Sequence, residues 1–432
     1  MQHFFRRAFL AALAAAALLP VSEARADWWG DAALVKQGIT TAVRQQWLTP
    51  DEAANYRSVL SRATATWRRL PGSRSSNLGA VLHDVALQRQ AYIAPRALAL
   101  FSMLDTNERY LASDAMPPAG ADILDADGVV YRAFPGEGLQ FHPLGNFARL
   151  NSLLAREDGV GAATLAAALI SRGIPRAGSL TWEYYFPFGR GRPPWTSGMA
   201  QAVAARALAA DGDLTEAREA FLALSRLTFP LAGGTWVRLY SFNNLTVLNA
   251  QLQASLSLAD YGRLNQDEAA TELADRLLGT AGALFPRFDT GAWSRYSLSG
   301  AESPLNYHLY VAGLLRRIAA ATKDPVWTSR AVRFDRYTAQ PPVLAATGPS
   351  RPVRATATIS IWLSKISRVS LSIGGVTSSY TLSRGSHTFY WSAKGRRAGR
   401  YAVRLAAVDL AGNRAVKTLA PIRVAKRASA LP

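Results

Sequence analysis

Apolar residues recur at spacings of three and four along most of the first 335 residues, the period of amphipathic α-helices. The pattern predicts helices over residues 32–47 and 51–70 and within residues 81–111. Thr49 is placed to cap the second helix and Pro50 to occupy its first position. A side-chain oxygen satisfies a free N–H group at a helix start, and proline has no N–H there to satisfy. This part of the chain is therefore predicted to be helical.

A second set of predicted helices follows as consecutive hairpins, the first of which turns at Asp211-Gly212-Asp213. The helices span residues 197–210, 214–227, 243–262, 266–284 and 305–322. Curled into a ring, such hairpins form an α/α toroid, that is, a helical-hairpin barrel. A tetratricopeptide-like solenoid is the alternative, but no period of about 34 residues continues along the chain.

Two short islands of aromatic and β-branched residues interrupt the helical pattern. The first, residues 123–143, contains Asp127-Gly128, a hairpin signal. The second is residues 179–189, with the sequence SLTWEYYFPFG. Because both are too short for a sheet domain, we predict small β flaps over one end of the helical barrel. Aromatic side chains there suit sugar rings, whose apolar C–H faces stack on π-surfaces.

The hydrophobic period changes to strict alternation beyond Pro341. Six short alternating segments follow, which favours an all-β sandwich. The run GRYAVRLAAVDLAGN resembles the last strands of bacterial immunoglobulin-like or fibronectin-like modules. The predicted fold class is thus mainly α, an α/α toroid with small β flaps followed by an immunoglobulin-like β-sandwich. The predicted segments are a signal peptide (1–26), the toroid (27–338), a linker (339–351), the sandwich (352–425) and a tail (426–432).

Positive charge is concentrated in the predicted sandwich. Residues 349–432 contain 15 Lys or Arg against a single acid, Asp409, which leaves +14 of the formal net charge of +19. Such a module predicts an anionic partner, namely a uronic-acid-containing polysaccharide, a cell-wall or envelope polymer, or lipid headgroups. A surface that serves only solubility is the alternative. Nucleic acid is not expected, since no nucleic-acid-binding module is recognisable.

Composition bears on the kinds of site that are possible. Without cysteine, the chain has no disulfide, no zinc–thiolate site and no cysteine nucleophile. The five histidines show no HExxH spacing or other tight cluster, so we predict neither a metal nor a cofactor. The length of 432 residues favours two or three domains over one core. Nothing in the sequence fixes the oligomeric state.

The first 26 residues have the three parts of an export signal. Arg6 and Arg7 form the basic region, residues 8–19 the apolar run, and residues 24–26 a small-residue cleavage site. The run is too short for a permanent membrane anchor. The arginine pair is similar to a twin-arginine signal, and a general secretory signal is the other possibility. We therefore predict an exported protein of the extracellular space or cell envelope.

Five segments in order resemble the C-terminal catalytic part of the D-glucuronyl C5-epimerases, which act on heparosan-type glycans. They are LQFHPLGNFARLN (139–151), WTSGMAQAVAARAL (195–208), YSFNNLTVLNAQLQASLSLAD (240–260), FDTGAWSRYSL (288–298) and LNYHLYVAGLL (305–315). The resemblance implies an α/α barrel with β elements. It also implies an isomerase that inverts C5 of uronosyl residues in a polysaccharide.

Tyr240, Tyr296 and Tyr307 occupy the positions of the tyrosines that surround the reacting carbon in that family. The resemblance therefore implies that they are catalytic. For several of the predicted substrate-binding residues, the alternative role is packing, helix capping or structural hydrogen bonding. The predicted substrate-binding residues are His142, Trp195, Gln201, Arg238, Asn249, Arg295 and His308.

The sequence departs from the family pattern beside these tyrosines. The family's glutamate before the first tyrosine is Leu239 here, and the arginine and histidine after the second are Ser299 and Gly300. The second histidine of the last segment is Val311. The nearby charged residues that could substitute are Arg238, Arg295, Glu183 and Glu302. A changed substrate, a lyase-like reaction or lost catalysis would each fit these departures, and a catalytically degenerate polysaccharide-binding protein of the same fold is the main alternative to an epimerase.

Overall fold

The computed structural model describes residues 27–425, so the predicted signal peptide and tail lie outside the described residues. The chain forms two compact units, the first ending at Gly282 and the second beginning at Ala283. In the described part of the chain, no helix combines the length and the apolarity that crossing a bilayer requires. Helices dominate up to residue 339 and strands dominate beyond it, as predicted.

Several helices of the first unit contact the helix two places further along the chain as well as the one that follows them directly. Their bounds are α1 Trp28–Arg44, α2 Pro50–Trp67, α3 Gly72–Leu87, α4 Ala94–Ser113, α5 Pro143–Leu154, α6 Gly159–Ile170, α7 Gly198–Asp211, α8 Leu214–Leu222, α9 Leu248–Asn265 and α10 Glu268–Phe288. The pairs α1–α3, α2–α4, α5–α7 and α7–α9 are in contact, as consecutive hairpins require. Closure into a toroid stays a prediction.

Local signals fix several helix ends as the sequence predicts. The Thr49 side chain accepts a hydrogen bond from the Glu52 backbone N–H, the Glu52 carboxylate accepts one from the Thr49 backbone N–H, and Pro50 is the first helical residue. At the other end of a helix, Gly212 closes α7 with φ +104°, a conformation that glycine adopts without strain.

Three small sheets lie between the helices of the first unit. They are β1 Asp122–Leu124, β2 Val130–Phe134 and β3 Gly138–Phe141 in one sheet, β4 Ile174–Arg176 with β5 Ser179–Thr181, and β6 Thr228–Leu231 with β7 Gly234–Val237. The turn between β1 and β2 contains Gly128 at φ +76°, which confirms the predicted hairpin. The island at 179–189 is strand only as far as Thr181, because its aromatic side chains continue into an irregular, buried cluster.

The second unit begins inside α10 and contains α11 Leu305–Thr322 and α12 Pro325–Ala339, followed by seven strands. The strands are β8 Leu344–Thr347, β9 Thr356–Leu363, β10 Ser367–Ile373, β11 Val376–Leu382, β12 Gly385–Ser392, β13 Gly399–Asp409 and β14 Arg414–Val424. The last six were predicted. Strand β8 lies in the segment predicted as a linker and pairs with β9, whose open edge offers it hydrogen-bonding groups.

Two sheets of the second unit share one hydrophobic core. The strand orders are β11-β10-β13-β14 and β12-β9-β8, with antiparallel neighbours throughout. Alternate residues of β9, β10 and β13 point into the core, which contains Ala357, Ile359, Ile361, Leu363, Val369, Leu371, Ile373, Val403, Leu405, Ala407 and, from β14, Ile422. This is a β-sandwich. Its relation to immunoglobulin-like modules stays a prediction.

Candidate active site

Tyr240 lies in the first unit, between the end of β7 and the start of α9, and is 4% exposed. Three aromatic rings pack around it. Phe242 stacks on it at 5.4 Å between ring centroids, Phe188 lies at 5.2 Å, and Trp195 meets it edge-on at 5.6 Å. The tyrosine is therefore held by aromatic packing at a strand-to-helix junction.

Trp195 is fixed by a ring stack and a hydrogen bond within its own unit. Its ring stacks on Tyr184 at 4.0 Å with the planes 2° apart, and its indole N–H donates to the Phe186 carbonyl at 2.8 Å. An adjoining cavity of about 10 Å³ has room for about one water molecule and none for a sugar ring. The cavity is lined by Leu144, Tyr184, Trp195, Ser197, Met199, Leu239 and Tyr240. In this structure Trp195 serves packing.

His142 and Gln201 bind the backbone around them. His142 caps α5, where its Nδ1 accepts from the Gly145 N–H at 2.9 Å, and burial beside Arg132 holds its pKa well below the usual range. The Gln201 amide donates to the carbonyls of Leu180 at 2.5 Å and Ala220 at 3.1 Å. Both arrangements match the structural alternative for these residues.

The remaining predicted contacts of the first unit are a cation and an amide. Arg238 donates to the Asn244 side chain, and its guanidinium lies 5.3 Å from the centre of the Phe229 ring. Asn249 is 1% exposed within α9. Arg238 thus stays near the surface close to Tyr240 in the chain, whereas Asn249 is interior.

Glu183 is the first carboxylate that could replace the one lost at Leu239. Arg96 donates two hydrogen bonds to its carboxylate, at 2.8 and 3.0 Å, and Arg176 donates a third at 2.5 Å. Both carboxylate oxygens therefore accept from guanidinium groups, and the side chain is fully buried. Desolvation and the Glu183 charge raise the pKa of the neighbouring Tyr185. This arrangement makes Glu183 a structural anchor.

Tyr296 and Tyr307 come together in the second unit. Their ring centroids are 4.5 Å apart, and Tyr307, in the first turn of α11, is 1% exposed. Tyr296 is half-buried in a turn that its backbone N–H closes by donating to the Ala301 carbonyl at 3.1 Å. The structure therefore joins two of the three predicted catalytic tyrosines from separate segments, while Tyr240 belongs to the first unit.

His308, the residue after Tyr307, is enclosed by protein groups. Its ring stacks between Trp293 at 4.0 Å and Phe334 at 5.3 Å. Nε2 donates to the Phe334 carbonyl at 3.0 Å, so Nδ1 accepts from the Ser294 hydroxyl at 2.8 Å. Burial lowers the pKa of His308 to about 4. The residue is a neutral structural link at neutral pH.

Arg295 and Glu302 face each other across a short antiparallel bridge beside Tyr296. Arg295 donates to the Gly300 carbonyl at 3.3 Å. Glu302 Oε2 accepts from the backbone N–H groups of Ile366 at 3.0 Å and Arg384 at 3.1 Å, while Oε1 is buried without a hydrogen-bond partner among the described residues. Burial raises the pKa of Glu302, although the two arginines oppose the shift. Glu302 is therefore a better candidate than Glu183 for the missing carboxylate.

A buried ion pair that the sequence analysis did not predict joins α12 to the sandwich. Lys365 Nζ lies 2.7 Å from Asp409 and donates to the carbonyls of Tyr337 at 2.7 Å and Gln340 at 2.6 Å. Both charged side chains are 2% exposed or less. The one available signal was that Asp409 is the single acid of a basic module.

Beside this ion pair the second unit contains a pocket of about 280 Å³. Its lining is Thr290, Gly291, Ala292, Gln340, Pro341, Val343, Trp362, Ser364, Lys365 and Arg384. The predicted tyrosines are not among these residues. Within residues 27–425, no group of three or more His, Asp or Glu side chains is placed to hold a metal ion.

Comparison with known families shows which family this region resembles. Residues 177–336 match the family described as D-glucuronyl C5-epimerase C-terminus. This segment belongs to that family. The match contains all three predicted tyrosines and four of the five similar segments, and it supports an epimerase-like function for the D-glucuronyl C5-epimerase segment. No curated protein gives a significant match to the chain.

Proposed function

We propose that the protein inverts C5 of uronosyl residues in a polysaccharide by removing a proton and returning one to the opposite face. The observation that carries the proposal is the family match, which spans Tyr240, Tyr296 and Tyr307. The contact between Tyr296 and Tyr307 supports it, because residues that act on one carbon must lie close together.

The reaction needs two acid–base groups and a means of holding negative charge. The C5 proton lies α to a carboxylate, so strong donors or a cation must stabilise the charge that develops there. Free tyrosine titrates near 10, and a tyrosinate therefore needs a neighbouring positive charge. Arg238 lies two positions before Tyr240 and Arg295 directly precedes Tyr296. We assign the acid–base steps to the tyrosines and charge stabilisation to these arginines.

A catalytically degenerate polysaccharide-binding protein is the second candidate. Leu239 favours it, since a hydrocarbon side chain lines the cavity beside Tyr240 where the family has glutamate. The three hydrogen bonds that Glu183 accepts from arginines also favour the binding protein, because that carboxylate is not free to accept a substrate proton. Glu302 and the tyrosine pair favour the enzyme.

Solvent isotope exchange separates the two candidates. Heparosan and other uronic-acid polymers are incubated with the protein in deuterated water, and C5 deuterium is measured by NMR and mass spectrometry. The epimerase incorporates deuterium, and Tyr307→Phe abolishes the incorporation. Tyr390→Phe, a change on a 75% exposed sandwich residue, is the matched control and keeps full activity. If the protein binds these polymers but incorporates deuterium into none of them, the degenerate binding protein is the candidate that remains.

Export completes the proposal, because an acidic polysaccharide substrate outside the cytoplasm requires a secreted enzyme. Expression in a bacterial host should yield an exterior protein that lacks about 26 residues, the length of the predicted signal. N-terminal sequencing of the exterior protein tests this. An exterior protein that keeps its first residues would contradict it.

A further inference from the structure

The outer face of the four-stranded sheet carries five arginines. Inward-pointing residues of these strands form the sandwich core, so the residues between them point to solvent. Five exposed outward positions are arginine: Arg368, Arg400, Arg404, Arg414 and Arg423. We call this surface the arginine face.

None of the five arginines forms an ion pair with a described residue. Arg423 donates to the Ser350 carbonyl at 3.3 Å, which leaves its charge uncompensated. Between residues 344 and 425 the only acid is Asp409, which is 5% exposed and already neutralises Lys365. The positive charge of the arginine face is therefore available to a ligand.

Strand register places the arginines at three levels. Arg368 and Arg414 lie on either side of Val408, each as its direct partner. Arg404 is four residues back along β13, and Arg400, opposite Arg423, is four residues further. With a rise of about 3.4 Å per residue, successive levels are about 14 Å apart. The face is therefore a linear track of positive charge.

Small and hydroxyl-bearing side chains fill the space between the levels. They are Ser370, Ser372, Thr377, Ser379, Ala406, Val416 and Thr418. These short side chains let a polymer approach the sheet closely and offer hydroxyl groups as hydrogen-bond partners. The largest apolar side chains on the face are valines, which is too little for insertion into a lipid interface. It also carries no aromatic ring on which nucleic-acid bases could stack.

We propose that the arginine face binds a linear acidic polysaccharide, with ligand carboxylates on the guanidinium groups. Arginine suits this task because its planar fork can bind a carboxylate through two hydrogen bonds. The choice of a uronic-acid polymer among polyanions rests on the proposed function. A second contact on the same chain raises the effective concentration of polymer at the protein. The arginine face contains none of the predicted catalytic tyrosines, and binding there needs no catalysis.

The test compares two triple variants of the full chain with equal loss of charge. One replaces Arg368, Arg404 and Arg414 with Gln on the arginine face. The control replaces Arg351, Arg354 and Arg397 with Gln, all exposed positions of the same unit that lie outside the face. Binding to immobilised heparosan is measured at several salt concentrations, and thermal unfolding verifies that both variants are folded.

The face variant should bind heparosan at least about tenfold more weakly, with a weaker salt dependence, because three charge-assisted contacts are lost. The control variant should bind like the wild type. Equal weakening of both variants, or no weakening of the face variant, would overturn the proposal. Stronger binding of wild-type protein to anionic vesicles or single-stranded DNA than to heparosan would overturn the choice of ligand.

C5 deuterium incorporation, measured in parallel on a short heparosan oligosaccharide, separates this proposal from the proposed function. A wild-type protein that incorporates no deuterium but binds heparosan through the face supports the binding site and removes the epimerase. Incorporation that survives while both triple variants bind heparosan like the wild type removes the binding site and leaves the epimerase.

Discussion

The first unit packs aromatic rings around its candidate tyrosine, whereas the second unit has a cation and a carboxylate in the segment that contains its tyrosine pair. Tyr240 packs against Phe188, Trp195 and Phe242. The segment of Tyr296 and Tyr307 also contains Arg295 and Glu302, which face each other across a bridge. Aromatic packing is insensitive to pH, while a buried carboxylate and a nearby cation can shift the pKa of a tyrosine. The comparison therefore predicts a packing role for Tyr240 and proton transfer by the pair in the second unit.

The largest expected effect is the loss of C5 deuterium incorporation when a single tyrosine hydroxyl group is removed. Tyr307→Phe and Tyr240→Phe each keep the ring and lose the proton-transferring group. Under the proposed function, both should lower C5 deuterium incorporation by about 10²–10⁴-fold, the range of general acid–base catalysis, with little change in stability. If Tyr240→Phe keeps wild-type exchange while Tyr307→Phe loses it, Tyr240 is a packing residue and the chemistry belongs to the second unit.

Breaking the buried ion pair tests how strongly the second unit depends on charge. Lys365→Met leaves Asp409 buried without its cation and should lower the free energy of unfolding by about 3–5 kcal/mol, measured in urea. Lys394→Met, at an exposed lysine of the same sandwich, is the control and should change it by less than about 0.5 kcal/mol. Adding Asp409→Asn to Lys365→Met should restore part of the loss. A single variant as stable as the control would show that the pair contributes nothing.

Acid should destabilise the second unit through His308. The pKa of this residue is about 4 in the folded state, where burial opposes protonation, and about 6.5 when unfolded. Between these values the unfolded chain binds a proton that the folded chain does not. The free energy of unfolding therefore falls as pH drops from 6.5 towards 4, by about 3 kcal/mol, and is unaffected by this group above 6.5.

The variant His308→Gln isolates this contribution, because other titrating groups remain the same in both proteins. Urea unfolding at pH 7, 5.5 and 4.5 should show a steeper loss for the wild type than for the variant. Parallel pH profiles would mean that His308 is protonated in the folded protein.

The smallest predicted effect concerns the cap of α2 in the first unit. Thr49→Ala removes the capping hydroxyl and should cost about 1 kcal/mol. Thr40→Ala, at an exposed mid-helix threonine, should be neutral or slightly stabilising, since alanine has the higher helix propensity. If the two units unfold in separate steps, only the step of the first unit should move. If Thr49→Ala shifted the unfolding step that Lys365→Met also shifts, the assignment of the cap to the first unit's step would be contradicted.

Local sequence determined most of the secondary structure of this protein. The cap at Thr49, the glycine turn at Gly212 and the alternation of the last six strands each involve residues close together in the chain. Such signals depend on backbone geometry and on the period of apolar residues, so they can be recognised without tertiary contacts. The family resemblance likewise depends on order and spacing, and the match over residues 177–336 confirms it.

Tertiary structure alone decided which side chains meet. Lys365 pairs with Asp409 across 44 positions and with the carbonyls at the end of α12, Tyr296 meets Tyr307, and β8 joins the sheet from a segment rich in proline. Gln201, a candidate ligand by sequence, binds two backbone carbonyls instead. The physical reason is that desolvation forces each buried polar group to find a partner, and that partner is chosen by packing between distant segments, which no local pattern records.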